Sequence, residues 1–146
     1  MNLKMSNIDK FIKAQDRMYD IALNEIKSGK KKSHWIWFIF PQIQGLGCSD
    51  ISCYYSIENL VEAKDYLNNP ILGNRLIEIS NELLKLDDDI NNILGTIDSL
   101  KVCSSMTLFS IVNPNIDVFK KVIDKFYEGK YDDMTINILN SKEKRR

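Results

Sequence analysis

HWIWFIF, residues 34–40, decides how this chain folds. It holds both tryptophans of the sequence, two phenylalanines, two isoleucines and the only histidine, and it runs straight into Pro41 and Gln42. These residue types favour extended backbone, and the residue before a proline is pushed out of the right-handed helical region. A lone strand cannot satisfy its own N–H and C=O groups, however, and no other run in the chain reads as its partner. The segment is therefore expected to be a short buried helix, capped by Ser33 and ended before Pro41. The fold class that follows is all-α: an irregular bundle of about seven or eight short helices in one domain over residues 1–146, with its core between 8 and 139.

The flanking sequence agrees with that choice. Ile8, Phe11, Ile12, Met18, Tyr19, Ala22, Leu23 and Ile26 recur at helical spacing, with Ser6 or Asn7 as cap and Gly29 as stop. Ser49 is placed to cap a short helix through Tyr54 and Tyr55, and Ser56 a second through Leu60, Val61 and Leu67. Pro70 opens a helix whose inward stripe is Leu72, Leu76, Ile79, Leu83 and Leu86. A short turn of helix ends at Gly95, and Thr96 caps the segment 97–112. Asn115 then opens a helix with Phe119, Val122, Ile123 and Phe126 inward. Met134, Ile136 and Leu139 belong to a last short helix before a frayed tail, 141–146.

Bulk composition narrows the function classes. Twenty basic and twenty acidic side chains cancel, so no overall field favours nucleic acid or an anionic membrane. The longest apolar run, residues 35–40, is far too short to span a bilayer, and the first residues carry no signal-peptide core. Cys48, Cys53 and Cys103 are odd in number with no C-x-x-C pair, which is neither a disulfide framework nor a zinc site. No metal or cofactor is expected, and a reduced, cytoplasmic location is. The cluster Lys27, Lys30, Lys31 and Lys32 reads as a solvated helix end.

Candidate chemistry lies in IDSLKVCSSMTLFSIV, residues 97–112. Apolar side chains surround this helix, which marks it as buried. Asp98, Lys101, Ser104 and Ser105 nevertheless share one arc. A buried ammonium needs a carboxylate, a bound anion or an exit to water. One reading pairs Asp98 with Lys101 at i, i+3 and turns the serines back onto helix carbonyls; the other makes the arc the wall of a polar pocket. His34 divides the same way, between a hydrogen-bonded core residue and a proton carrier. Cys103 falls away from the Lys101 arc and is a poor nucleophile.

HWIWFIFPQ, GLGCS, NNPILGNRL, TIDSLKVCSSMTLF and YEGKYDDMT together resemble, in order and spacing, the domain of unknown function 1810 family, whose members are often called calpastatin-like. The resemblance runs from about residue 11 to 139 and implies a small all-α domain without an established activity. It carries over a set of polar positions: His34, Gln42, Lys101, Ser104, Ser105, Thr107, Asp132 and Thr135. Asn69 stands where family members commonly have histidine.

Three readings follow. In the first, an internal polar pocket takes a small anionic metabolite or nucleotide derivative: Lys101 counters its charge, Gln42, Ser104, Ser105, Thr107, Asp132 and Thr135 bind it, and His34 serves as donor or proton carrier. In the second, the same residues form an internal hydrogen-bond network in a non-catalytic interaction module. In the third, a hydrolase or transferase uses His34 as general base, with Lys101 stabilising developing negative charge.

Overall fold

Residues 36–39 form one turn of helix, and helices dominate the rest of the chain around it. The computed structural model describes residues 7–47 and 49–144. Among these residues nine helices follow one another: α1 (Asp9–Lys27), α2 (Ile36–Ile39), α3 (Asp50–Tyr54), α4 (Leu60–Asn68), α5 (Pro70–Leu84), α6 (Ile90–Leu94), α7 (Thr96–Val112), α8 (Val118–Phe126) and α9 (Asp133–Lys144). The count is one or two above the expected seven or eight, and the short segments anticipated before Pro41, after Ser49 and before Gly95 each close as a helix of their own. Extended pairing among the described residues is confined to one parallel bridge between Ile43 and Ile57. There the Ile57 N–H donates to the Gln42 carbonyl (2.8 Å) and the Gln44 N–H to the Ile57 carbonyl (2.7 Å), fixing the chain that leaves Pro41.

Several expected caps are placed otherwise. Ser49 does cap α3, accepting from the Ser52 N–H at 3.2 Å, and Asn69 caps α5 ahead of Pro70 by accepting from Ile71 and Leu72. Asn59, not Ser56, caps α4; the Ser56 hydroxyl donates to the Cys53 carbonyl. Trp35, not Ser33, stands at the start of α2, and Ile8 at the start of α1, where the Asn7 amide instead donates to Glu62. Ser6 lies outside the described residues. Thr96 is already inside α7, following Gly95 at φ +87°, and α8 starts after Asp117 rather than at Asn115. Short polar side chains near a helix start have several acceptors and donors in reach, and only the tertiary fold selects among them. α9 continues through residues 141–144, where a frayed tail was expected.

α7 is the axis of the bundle and packs against α2, α4, α6, α8 and α9. α5 packs against α1, α4 and α8 on the other side of the core. Trp35, Tyr66, Phe11, Phe40, Phe109 and Phe119 are the largest fully buried side chains. Three apolar residues of α7 stay outside: Ile97 is 69% exposed, Leu100 65% and Ile111 41%. In α9, Thr135 and Leu139 face inward while Met134 is 59% exposed.

Two polar side chains of α1 hold the tryptophan-rich turn. Gln15, buried, donates through Nε2 to the Phe38 carbonyl (2.7 Å) and to the Tyr66 hydroxyl (2.9 Å). Glu25 accepts from the N–H groups of Lys32 (2.8 Å) and Ser33 (2.9 Å), from the Trp35 indole (2.9 Å) and from the Ser33 hydroxyl (2.6 Å). Burial acts to raise the Glu25 pKa, but these four bonds to its charged form outweigh it and hold the carboxyl down at about 2. A depressed carboxyl contributes stability that is complete above its unfolded value and lost as pH falls toward the folded one. In urea titrations the margin of wild type over Glu25→Gln should therefore be full at pH 7, shrink between about 4.5 and 2, and vanish below. After allowance for solvent screening the margin should be about 1–2 kcal/mol. A margin independent of pH would remove Glu25 from this role.

Candidate functional site

Among the ion-paired side chains of the described residues, the most deeply buried charge is not the expected one. Lys31, whose side chain is only 8% exposed, places its ammonium 2.8 Å from Asp98 Oδ2. It also donates to the Ser33 carbonyl (2.6 Å) and lies 4.9 Å from the Trp35 ring centroid. The reading of the lysine cluster as uniformly solvated is thus corrected: Lys27, Lys30 and Lys32 are exposed, and Lys31 is not. The cause is the path of the chain. α1 ends at Lys27, Gly29 with φ +84° turns the backbone back, and the Lys31 N–H donates to the Ile93 carbonyl of α6 (2.7 Å).

Lys101 receives what Asp98 has left. Its ammonium is 3.8 Å from Asp98 Oδ1, 5.1 Å from the centroid of the half-buried Trp37 ring, and 25% of its side chain is exposed. At that distance the contact is an ion pair without a good hydrogen bond. One carboxylate therefore faces two ammonium groups, Lys31 and Lys101, and the more accessible of them is the less well paired.

Lys101 opens on a cleft of about 480 Å³, which Gln42, Ser104 and Asp132 also line. Leu46, Ile97, Leu100 and Met134 supply its apolar rim. Four of the predicted site residues, Gln42, Lys101, Ser104 and Asp132, thus meet at one solvent-reachable surface. The size is that of a small-ligand site.

The remaining predicted residues go elsewhere. The Thr107 hydroxyl donates to the Cys103 carbonyl (2.8 Å) and accepts from the Asp132 N–H (2.9 Å). Asp132 Oδ2 accepts from the Ser104 hydroxyl (3.1 Å), the Thr135 N–H (3.1 Å) and the Thr135 hydroxyl (2.5 Å). Asp132 is therefore the N-cap of α9, and Ser104 and Thr107 rivet that cap to α7. Thr107 and Thr135 are fully buried scaffold residues, not contacts for a ligand in the cleft. Ser105 is fully buried, its hydroxyl unpaired, away from the cleft lining.

His34 is exposed, engages in no hydrogen bond or ion pair among the described residues, and does not line the cleft. The expected approach of His34 to the 101–107 helix is not formed. Trp35 is drawn inward by Glu25, and the adjacent side chain at 34 is left outside. Cys103 suits the inert reading. Burial, and next the Asp132 carboxylate, push its thiol up to about 11 despite the bond from Thr107. Cys48 lies outside the described residues.

Glu25, Lys31 and Trp37 were not among the sequence candidates. The one sequence signal for Lys31 is its position just ahead of the aromatic run. Among the described residues no group of three or more His, Cys, Asp or Glu could hold a metal ion, and no helix is long and apolar enough to cross a membrane.

Comparisons with known proteins extend the motif resemblance to the whole architecture. The family model described as a protein of unknown function (DUF1810) matches residues 5–139. Among solved structures, the crystal structure of the conserved hypothetical protein Rv1873 from Mycobacterium tuberculosis is 37% identical with a TM-score of 0.91, over 92% of this chain and 97% of that one. No curated protein matches. The family motif HWIWFIFPQ accordingly forms the α2 turn and its exit, KVCSSMTLF forms the middle of α7, and this chain belongs to the DUF1810 family of proteins of unknown function.

Proposed function

We propose that this chain is a binding protein for a small metabolite that joins an anionic group to an apolar body, seated in the cleft beside Lys101. The observation that carries the reading is the sharing of Asp98. Lys31 takes the carboxylate at 2.8 Å, so Lys101, at 3.8 Å, keeps charge to offer. The Trp37 ring holds the Lys101 stem and ammonium in place, which lowers the entropy lost on binding. Gln42 lines the same cleft with an amide that can donate and accept, the Asp132 carboxylate can only accept, as from a ligand hydroxyl, and the Leu46, Ile97, Leu100 and Met134 rim accepts the apolar part. Carboxylated metabolites, sugar phosphates and nucleotide derivatives all meet this description.

Thermal shift with those three compound classes tests the reading, comparing wild type with Lys101→Met. Methionine keeps the apolar stem against Trp37 and removes only the charge. A compound that stabilises wild type should bind the variant at least about tenfold more weakly, a difference of about 1.4 kcal/mol. Equal stabilisation of both proteins, or of neither by any of the compounds, would sink the assignment.

A second reading is favoured by one specific observation. The Ser104, Thr107, Asp132 and Thr135 bonds already cap α9, and Ile97, Leu100 and Met134 beside them are 69%, 65% and 59% exposed. These features also suit a module that docks a protein partner on its apolar rim. Leu100→Glu would then abolish partner binding while Lys101→Met would not; the small-ligand reading expects the charge to matter most.

A further inference from the structure

A second concentration of charge shares no residue with the cleft. Lys10, Lys13 and Arg17 follow one another on α1 at intervals of three and four, which puts them on one stripe of the helix. With Tyr54 and Tyr55, at the end of α3, they line an open groove of about 400 Å³. About 10 Å of helix axis separates the first cation from the last, so their long side chains can surround a multiply charged group.

The cations outnumber the acids of the groove. Against three cations the groove lining holds one carboxylate, Asp9. Of the other acids nearby, Asp16 pairs with Arg75 at 3.1 Å, Glu62 accepts from the Asn7 amide and the Glu58 N–H, and Asp20, one turn beyond Arg17, forms no ion pair among the described residues. Neither Lys13 nor Arg17 takes part in an ion pair among the described residues. In a chain of zero formal net charge this local excess stands out.

The groove also has a fixed aromatic wall. Tyr55 packs on Phe11 (5.7 Å between centroids) and Phe38 (5.3 Å), both in the core, and meets Tyr54 edge-on at 4.8 Å. Tyr54 remains 57% exposed, with the Lys10 ammonium 5.0 Å from its centroid. An open ring braced from the core beside unpaired cations suits a ligand that carries both a flat base and phosphates.

We infer that the groove between α1 and α3 binds a nucleoside polyphosphate, its phosphates held by Lys13 and Arg17 with Lys10, and its base laid against Tyr54. Lys13 and Arg17 are exposed, so charge reversal there leaves the fold intact, which circular dichroism verifies. Calorimetric titration of the full chain with ATP is the test. Lys13→Glu/Arg17→Glu should weaken ATP at least about tenfold. Lys27→Glu/Lys32→Glu, an equal charge change at other exposed positions, should stay within about twofold. Tyr54→Ala should weaken ATP severalfold but leave inorganic triphosphate untouched.

Three results would overturn the inference: no heat with ATP at about 5 mM, equal losses in the two double variants, or binding of a short oligothymidylate without binding of ATP. The last would assign the groove to single-stranded nucleic acid instead.

Discussion

Gly73→Ala should destabilise the protein by about 3 kcal/mol or more, although alanine is the better helix former by about 1 kcal/mol. Gly73 lies inside α5 with helical backbone, so a side chain at that position meets no conformational barrier of its own. The obstacle is α4. A Cβ built there overlaps the Leu67 carbonyl oxygen and falls 3.1 Å from its carbon. Both atoms are backbone, and neither can rotate away. The tight link from α4 to α5 would have to open, and with it the Asn69 cap and the bond from the Gly73 N–H to the Asn69 carbonyl (2.8 Å). Gly95→Ala is the matched control: its φ is +87° and nothing lies within 4 Å of the added carbon. It should cost about 1–3 kcal/mol through backbone strain alone, because φ +87° with ψ +156° is a conformation essentially confined to glycine. Urea denaturation of the two variants gives both numbers, and a Gly73→Ala protein at least as stable as wild type would mean that α4 and α5 do not approach this closely.

Gly73 also marks where sequence stops being informative. Period carries the helices better than caps do: the stripe of α5 and the mostly buried α7 follow from spacing, and the turn ahead of Pro41 from the lack of a partner strand. A glycine in an amphipathic helix, by contrast, looks like a small loss until another backbone is seen against it. Lys31 is a similar case. Four lysines in six positions are equivalent on paper, and only the reversal at Gly29 carries one of them beneath α7. The site is half legible for related reasons. Gln42, Lys101, Ser104 and Asp132 do converge, because a polar residue on a buried helix must reach an opening or a partner. Thr107 and Thr135 have the same polar signature but found their partner in Asp132, so their hydroxyls serve a cap. His34 turned outward because its neighbour Trp35 had the stronger claim on the interior. Such a choice is made at one backbone torsion, which no pattern of residue types reports.

The largest electrostatic effect is expected at Asp98. Removing one partner of a buried ion pair leaves the other charge uncompensated, at about 3–5 kcal/mol when both are sealed. Asp98 is 20% exposed and Lys31 8%, so Asp98→Asn should cost somewhat less, about 2–4 kcal/mol. Only the Ser33 carbonyl and the Trp35 ring would remain to the Lys31 ammonium. The reverse deletion should be milder. In Lys31→Met the carboxylate is not stranded, because Lys101 can close the 3.8 Å gap, and a cost of about 1–2 kcal/mol follows. Lys31→Met/Asp98→Leu should recover part of the loss in Asp98→Asn, as replacement of buried pairs by apolar residues does. This asymmetry bears on the cleft. If Lys101 moves onto Asp98 when Lys31 is gone, a ligand that depends on the Lys101 charge should bind Lys31→Met more weakly, although Lys31 does not line the site. Equal penalties for Asp98→Asn and Lys31→Met, with ligand affinity unchanged in the latter, would mean that the two lysines do not compete for one carboxylate, and the charge assigned to the cleft would lose its source.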